Sequence, residues 1–394
     1  MNAYRQAFTD FSAQLGAPER ASREQQLDAF LKQGFPGKKL EDWRYTDLSA
    51  LADRSYALAS SIASDLSALI LADTESRMIL NGGDGALSSF STDRGAVTAL
   101  NAVFAREGLN LHVHAKQKTA KPIHVITHVN GAGPVMAHLR HRIHLEAGAE
   151  ATVILHHTGT GDYLTTQVTE IELGANARLT LYRVQDESAG SHHLAQTDVQ
   201  LGRDSQLLAV SADLGHGLSR HDFNVNLAEP GAQAQLLGLY APVGKTHVDN
   251  HTCIHHRAPH CQSRESFRGI VNDSARAVFN GKVIVHEGAS KTDSETRVAN
   301  LLLSKTAEVY AKPELEIYND DVKCAHGATF GQLDENAIFY LRSRGLDRDT
   351  SRGLLTYTFA HEVLGAITHE GLRNHVRNRF LERLPQGRLL SDLL

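Results

Sequence analysis

Apolar and polar positions follow two different periods along this chain, and the switches between them divide it into three stretches. Residues 1–35 have a helical pattern; Ser22 with Gln25 makes a capping-box signal, and Gly34 with Pro36 ends the run. The segment PGKKLEDWRYTDLS, 36–49, carries the sole tryptophan and reads as an ordered connection. An Ala/Ser/Leu-rich stretch of mixed short elements follows over 50–95. From about residue 100 the period drops to two, in short β-type runs such as HVITHV (124–129), HRIHLE (141–146), ARLTLYRV (177–184) and HDFNVNL (221–227). After residue 334 the helical period returns: Asp334 caps a helix through FYLRSR, and Gly345 closes it. Leu355, Phe359, Val363 and Ile367 form one i, i+4 stripe, and Leu372, Val376, Phe380 and Leu384 a second. Arg373, Arg377, Arg379 and Arg383 occupy the other faces of that last helix, and Pro385 stops it. The expected organisation is a mainly helical region over 1–95, a β core over 96–333 and a helical domain over 334–394.

Within the β region a short motif recurs: EAGAEATVIL (146–155), ELGANARLTL (172–181), QLGRDSQLLA (200–209) and EPGAQAQLLG (229–238). Its glycines, 148, 174, 202 and 231, are separated by 26, 28 and 29 residues. A near-constant period of this size marks stacked supersecondary units, each burying its apolar face on the next. Each unit is strand, Gly-containing turn, strand, which points to a β-solenoid; a β-sandwich is the alternative. Helices at the end of a solenoid also make physical sense, because they cover strand edges that would otherwise stay open.

Composition narrows the function classes. With 40 basic and 45 acidic residues the formal charge is -5, so there is no basic field for nucleic acid and no polybasic membrane signature. Three cysteines cannot make a disulfide framework and suit a reducing compartment. The N-terminus MNAYRQAFTDFSAQLG lacks the apolar core of a signal peptide, and ALASSIASDLSALILA is too polar to span a bilayer. The expectation is a soluble, cytoplasmic protein. The 23 histidines matter only where they cluster with other ligand types.

Three stretches offer chemistry. VGKTH contains a GKT, but a P-loop needs glycine five positions earlier and Leu239 stands there, so no ATP site is expected. HVDNHTCIHHRAPHC, 247–261, would point His247, Asp249, His251, Cys253 and His255 one way if extended. Its spacing matches no zinc pattern, and a hydrogen-bonded polar ladder is the plainer reading. KCAHGATFGQLD, 323–334, places Cys324 and His326 on one face of an expected strand, with Glu314, Glu316, Asp320 and Asp321 nearby as hard oxygen ligands. This is either half of a metal site or a structural cysteine beside a capping histidine. No G-x-S-x-G or other nucleophile–base arrangement is present.

Several long stretches then resemble a known family. HVDNHTCIHHRAPHCQSRESFRGIVND, AVFNGKVIVHEGASKTDSETRVANLLLS, KPELEIYNDDVKCAHGATFGQLDENAIFYLRSRGL and GFPGKKLEDWRYTDL are similar to the SufB/SufD family, scaffold subunits of the SUF iron–sulfur cluster assembly machinery. FYLRSRGL, where SufB-like chains tend to read FYFQQRGI, places the resemblance on the SufD branch. The resemblance implies a right-handed parallel β-helix between helical terminal regions and a non-enzymatic scaffold role. It implies pairing with SufB near the C-terminal end of the β-helix and docking of the ATPase SufC on the C-terminal helices. It also implies a transient iron–sulfur cluster or iron at the subunit interface, to which His326 would contribute as a ligand and Cys324 as an auxiliary thiol. A second copy of the chain is the other partner to consider when it is alone, and a flavin is left open. Cys253 departs from the family pattern and takes no role. The rival reading, a solenoid polysaccharide lyase, requires a groove of calcium-binding carboxylates that the spacing of Asp and Glu does not provide.

Overall fold

A computed structural model of the chain describes residues 2–59, 65–80, 95–384 and 387–393. Two helices, α1 (Asn2–Ser12) and α2 (Ala17–Gln33), open the fold. Helix α2 starts at Ala17, with Gly16 as its N-cap and a proline in its first turn, so Ser22 lies mid-helix and makes no capping box. Pro18 has no N–H to lose and a φ already suited to a first turn, which sets the start earlier than Ser22. Gly34 ends the helix at φ +69°, as its position suggests. Short 3₁₀ turns at Ser49–Asp53 and Ser67–Leu69 and the strands β1 (Ala57–Leu58) and β2 (Glu75–Leu80) make up the described part of 50–95, followed by α3 (Ala96–Phe104). Residues 60–64 and 81–94, and the expected stop at Pro385, lie outside the described residues.

The β region begins with β3 (Asn110–Val113), β4 (Ile123–Leu145) and β5 (Glu150–Leu173). Then come β6 (Arg178–Glu187), β7 (Ser191–Leu201), β8 (Gln206–Asp213), β9 (Leu218–Leu227), β10 (Gln233–Tyr240) and β11 (His247–His256). The last turns are β12 (Gln262–Val271), β13 (Arg276–Val285), β14 (Thr292–Leu302), β15 (Glu308–Ile317) and β16 (Val322–Gly331). All pairings are parallel. The first part of β5 pairs with β6 and the second with β7. From there even-numbered strands stack on one face and odd-numbered strands on the other, ending in β16 and β15. This is the parallel β-solenoid expected from the repeat.

The turn that repeats is more regular than its glycines. Lys116, Gly148, Asn176, Asp204, Gly231, His260 and Lys291 all have φ between +54° and +77°. Gly148 sits at the bend from β4 into β5, and each of the others at the bend between an odd strand and the next even one. The N–H of each donates to the carbonyl just before its counterpart one turn on, for example Asn176 to Arg203 at 2.7 Å and Lys291 to Asp321 at 2.7 Å. Gly148 and Gly231 occupy the left-handed position themselves. Gly174 stands two residues earlier, where an added Cβ would come within 2.9 Å of the Ala147 nitrogen. The repeat therefore runs on through His260 and Lys291, where no glycine marks it.

Inward-facing residues fill the solenoid with Val, Leu, Ile, Ala and Phe, among them Val153, Leu181, Leu207, Leu236 and Phe279. Each fully buried Leu or Val of this kind contributes roughly 1.5–3 kcal/mol. An aromatic cluster of Tyr4, Phe8, Phe11, Phe30, Phe35 and Phe104 joins the N-terminal helices in a separate core. The C-terminal helices α4 (Glu335–Ser343), α5 (Arg348–Leu364), α6 (Glu370–Leu381) and α7 (Gly387–Leu393) complete the chain. Residues of α5 and α6 share a second core with outward residues of the even strands, including Tyr182, Val210 and Leu239. The stripe Leu372, Val376, Phe380, Leu384 is buried as expected. The expected α5 stripe is buried at Val363 and Ile367, but in its first half Gly353, Thr356 and Ala360 are buried and Leu355 and Phe359 only partly so. These small residues let the helix lie close to the even-strand face, while Phe359 turns aside to stack with Arg268. The arginines of α6 are not all free for solvent: Arg379 makes two bonds to Asp186, at 2.6 and 2.7 Å.

Candidate functional site

Cys324 and His326 lie on β16, the last even strand and an edge of the sheet. Asp334 follows three residues after the strand ends at Gly331, and its carboxylate accepts the Asn336 N–H at 2.9 Å, starting α4. Side chains alternate along the strand, so Cys324, His326, Ala328 and Phe330 all occupy inward positions of the solenoid. The register fixes what lies beneath them. Below Cys324 come Ser294, Ser263, Ala234 and Leu207; below His326 come Thr296, Glu265, Leu236 and Ala209. Both columns change from apolar to polar three strands before the end. Ser263 donates to Ser294 at 2.8 Å and Thr296 to Glu265 at 2.8 Å. His256 meets Ser263 at 2.9 Å from the opposite face.

This polar stack has electrostatic consequences. Burial raises the Glu265 carboxyl pKa, against the hydroxyls of Thr252 and Thr296 that favour its ionised form. Burial also pushes up the Cys324 thiol, with Asp293 adding to it and the Ser294 backbone opposing. Cys324 is therefore held as a thiol in the isolated chain and needs a cation or metal to become a thiolate ligand. It is half-buried against the interior core, whereas His326 is exposed at the open end.

Among the described residues no third histidine, cysteine or carboxylate converges with these two on one point. The acidic residues upstream are occupied elsewhere: Glu314 pairs with Lys312 at 2.8 Å, Glu316 with Lys282 at 2.5 Å and Asp321 with Lys291 at 2.8 Å. The expectation that they add oxygen ligands beside Cys324 and His326 is thus corrected for these three, which ion pairs within β15 or across neighbouring turns take instead.

The surroundings of the pair are apolar and open. Ile317, Tyr318, Phe330, Phe339 and Tyr340 are all exposed, Phe339 to 71%. They cluster on β15, β16 and α4, next to two strand edges with unpaired backbone groups. Exposed edges and large apolar side chains together are rare on a monomer surface unless something covers them.

Within the stretch 247–261, His247, Asp249, His251, Cys253 and His255 form a polar ladder on the outer face of β11, while Val248, Ile254 and Cys261 face the interior core. The short N-terminal segment around Trp43 lies over the ladder. Arg220 bonds to Asp249 and Asp222, each at 2.8 Å, donates to the Asp42 carbonyl at 2.7 Å, and stacks on Trp43 at 3.8 Å. Thr46 bonds to both His247 and Asp249, and His251 meets Asp249 at 3.0 Å. Burial alone would raise the Asp249 carboxyl, but Arg220 and His251 outweigh it and hold it well below the usual range. Cys253 Sγ lies 3.5 Å from His255 Nε2, and Cys261 is buried with its thiol on the Glu229 carbonyl. Sequence reasoning missed Arg220 and Thr46; the register places Arg220 beside Asp249, and docking of the segment around Trp43 brings Thr46 to it. The Gly244 N–H of the GKT donates to the Asp273 carboxylate at 2.9 Å, so the donor a phosphate would use is already taken by an anion.

Comparison with known proteins agrees with this architecture. The family model for the SUF system FeS cluster assembly SufBD core domain matches residues 126–359, and that for the SufBD N-terminal region matches residues 1–65. The chain is 36% identical to the iron–sulfur cluster assembly protein SufD of Escherichia coli, over 98% of each chain. An iron–sulfur cluster assembly SufBD family protein of Synechocystis is 30% identical over 87% of this chain and 86% of its own. One from Mycobacterium leprae is 30% identical over 89% and 90%. A parallel solenoid flanked by helices, a Cys–x–His pair at its open end and similarity along nearly the whole chain converge: this protein belongs to the SufBD family of the SUF iron–sulfur cluster assembly system.

Proposed function

We propose that this chain is a non-enzymatic scaffold subunit on which an iron–sulfur cluster is assembled as cargo. Its open solenoid end pairs with SufB, and the helices of 334–394 dock the ATPase SufC. The observation that carries this reading is the position of Cys324 and His326: both complete inward columns at an unpaired, apolar-rimmed end of the solenoid. Two ligands of mixed softness are too few to hold iron or a cluster permanently. A second chain placed on this end would bring the missing ligands, and β15 and β16 offer it backbone partners. A coordination sphere divided between chains opens when the subunits move, so cluster release can be coupled to ATP hydrolysis in a third subunit. In this reading 1–95 forms an N-terminal region, 96–333 the scaffold core and 334–394 the docking domain. The absence among the described residues of a helix long and apolar enough to cross a membrane is compatible with work in the cytoplasm.

The test is co-expression with SufB and SufC, comparing the wild type with His326→Ala. The His326→Ala complex is expected to form with unchanged stoichiometry but to hold only a small fraction of the iron and sulfide. Wild-type cluster content in the variant would overturn the role of His326; failure of the wild type to copurify with either partner would overturn the scaffold reading.

A further inference from the structure

At the opposite end of the solenoid the structure brings together a second group of metal-ligating side chains. Strands β3 and β4 pair with His112 directly beside His144, and both strands then run into turns carrying His114 and Glu146. His112 Nε2 lies 2.8 Å and His114 Nδ1 3.4 Å from the same carboxylate oxygen, Oε1 of Glu146. The other oxygen of Glu146 accepts the Ala115 N–H at 2.9 Å. One imidazole from a strand, one from the following turn and one anchored carboxylate thus converge on a single point. The imidazole of His144 stacks on that of His112 at 4.9 Å.

The backbone around this point is set before any ligand arrives. The Glu146 N–H bonds to Val113, Lys116 to Ala147 and Gln117 to His114, at 3.0, 2.9 and 3.0 Å. Lys116 and Gly148 are the first two left-handed positions of the turn ladder. A site on such a frame is held by the fold and not by the loop alone. The side chains are also accessible, being 47%, 65% and 36% exposed for His112, His114 and Glu146.

The geometry points to a binding site for one divalent first-row transition ion, of the Zn²⁺ or Fe²⁺ class, held by His112, His114 and Glu146 with a coordination position open to water. Bonds of about 2.0–2.2 Å place the donors of a tetrahedral site roughly 3.3–3.5 Å apart. The two imidazole–carboxylate separations, 2.8 and 3.4 Å, lie below and within that range, and all three donor atoms lie within 4.8 Å of one another, so rotations of the imidazoles admit the ion. Two imidazoles and one carboxylate favour such ions over Mg²⁺ or Ca²⁺, which prefer all-oxygen shells. The ion would staple the exit of β3 to the exit of β4, where β4 is the one strand that pairs with β3 among the described residues.

A second cluster, His156, Asp186 and His375, has the same residue types but a different character. Both Asp186 oxygens are taken by Arg379, and the Arg383 guanidinium also lies in its field. Two resident cations on one carboxylate oppose a third. The open cluster at His112 contains no such competitor.

The experiment uses the full chain carrying Cys324→Ser and His326→Ala as a common background, so that binding at the other end of the solenoid contributes nothing. Zn²⁺ is titrated into metal-stripped protein against a chromophoric chelator, with thermal melts confirming that each variant is folded. The background chain is expected to bind one equivalent at micromolar concentration or below, about −8 kcal/mol or better. His112→Ala, His114→Ala and Glu146→Gln are each expected to weaken binding by at least about tenfold. Affinity unchanged in any one of the three overturns this ligand set, and no uptake by the background chain at about 100 µM overturns the site itself.

Discussion

Below pH 6.5 the folded chain is expected to lose stability steeply, at a pH where most cytoplasmic proteins are still near their maximum. Seven histidines are buried without charge. Burial lowers His124, His141 and His256 to about 4 and His138 to about 3. It holds His156, His157 and His221 well below the ordinary value, with neighbouring histidines and arginines adding to the effect. A histidine whose folded pKa is depressed stays neutral in the fold while the unfolded chain takes up a proton. Its contribution is complete above about pH 6.5 and is lost as pH falls from there towards the folded value. Each such group costs up to about 1.4 kcal/mol per pH unit, so seven together approach the whole stability of an ordinary domain within one to two units. Glu265 acts in the opposite direction, because its raised pKa favours the protonated fold as pH falls, but it is one group against seven. Urea unfolding between pH 7.5 and 5 tests this: the expected midpoint falls continuously below pH 6.5, and a flat midpoint down to pH 5 contradicts it.

The second large effect is expected at Asp249. Its carboxylate is almost fully buried between Arg220, His251 and Thr46. Asp249→Ala leaves the buried Arg220 guanidinium with Asp222 as its remaining carboxylate partner, and removing one partner of such a pair costs about 3–5 kcal/mol. The same change removes the acceptor of Thr46, so the segment around Trp43 should also come loose from the odd-strand face. Asp222→Ala, whose side chain is 30% exposed, is expected to cost only about 1 kcal/mol. Chemical unfolding gives the energies, and limited proteolysis reads the release of residues 36–48. An Asp249→Ala variant within 1 kcal/mol of wild type, with no change in proteolysis, would contradict this role.

The solenoid was legible because period-two alternation and a recurring turn are local signals. What the turn motif hid was its phase. Left-handed backbone is needed at Gly148, Asn176, Asp204, Gly231, His260 and Lys291 alike, but only two of those residues are glycine. The side chains of His260 and Lys291 tolerate the conformation because a backbone bond to the next turn holds it. The pairing of Cys324 with His326 on one face was equally local. The polar columns beneath them were not, since Ser263, Ser294, Glu265 and Thr296 come together only through register between turns some 30 residues apart. The same holds for Arg220 and Trp43, brought into contact across the odd-strand face. On α5 the i, i+4 count favoured the larger apolar residues, whereas close approach to the sheet favoured Gly353 and Ala360.

In the proposed role this chain supplies a ligand to a cluster completed by another subunit. Pulsed electron paramagnetic resonance tests it directly, on a reduced, cluster-loaded complex in which this chain alone carries heavy-nitrogen-labelled histidine. The expected result is a hyperfine coupling between the cluster and a labelled nitrogen, absent when the labelled chain carries His326→Ala. A loaded complex with no coupling to this chain's histidines, or with a coupling that survives His326→Ala, would contradict the account.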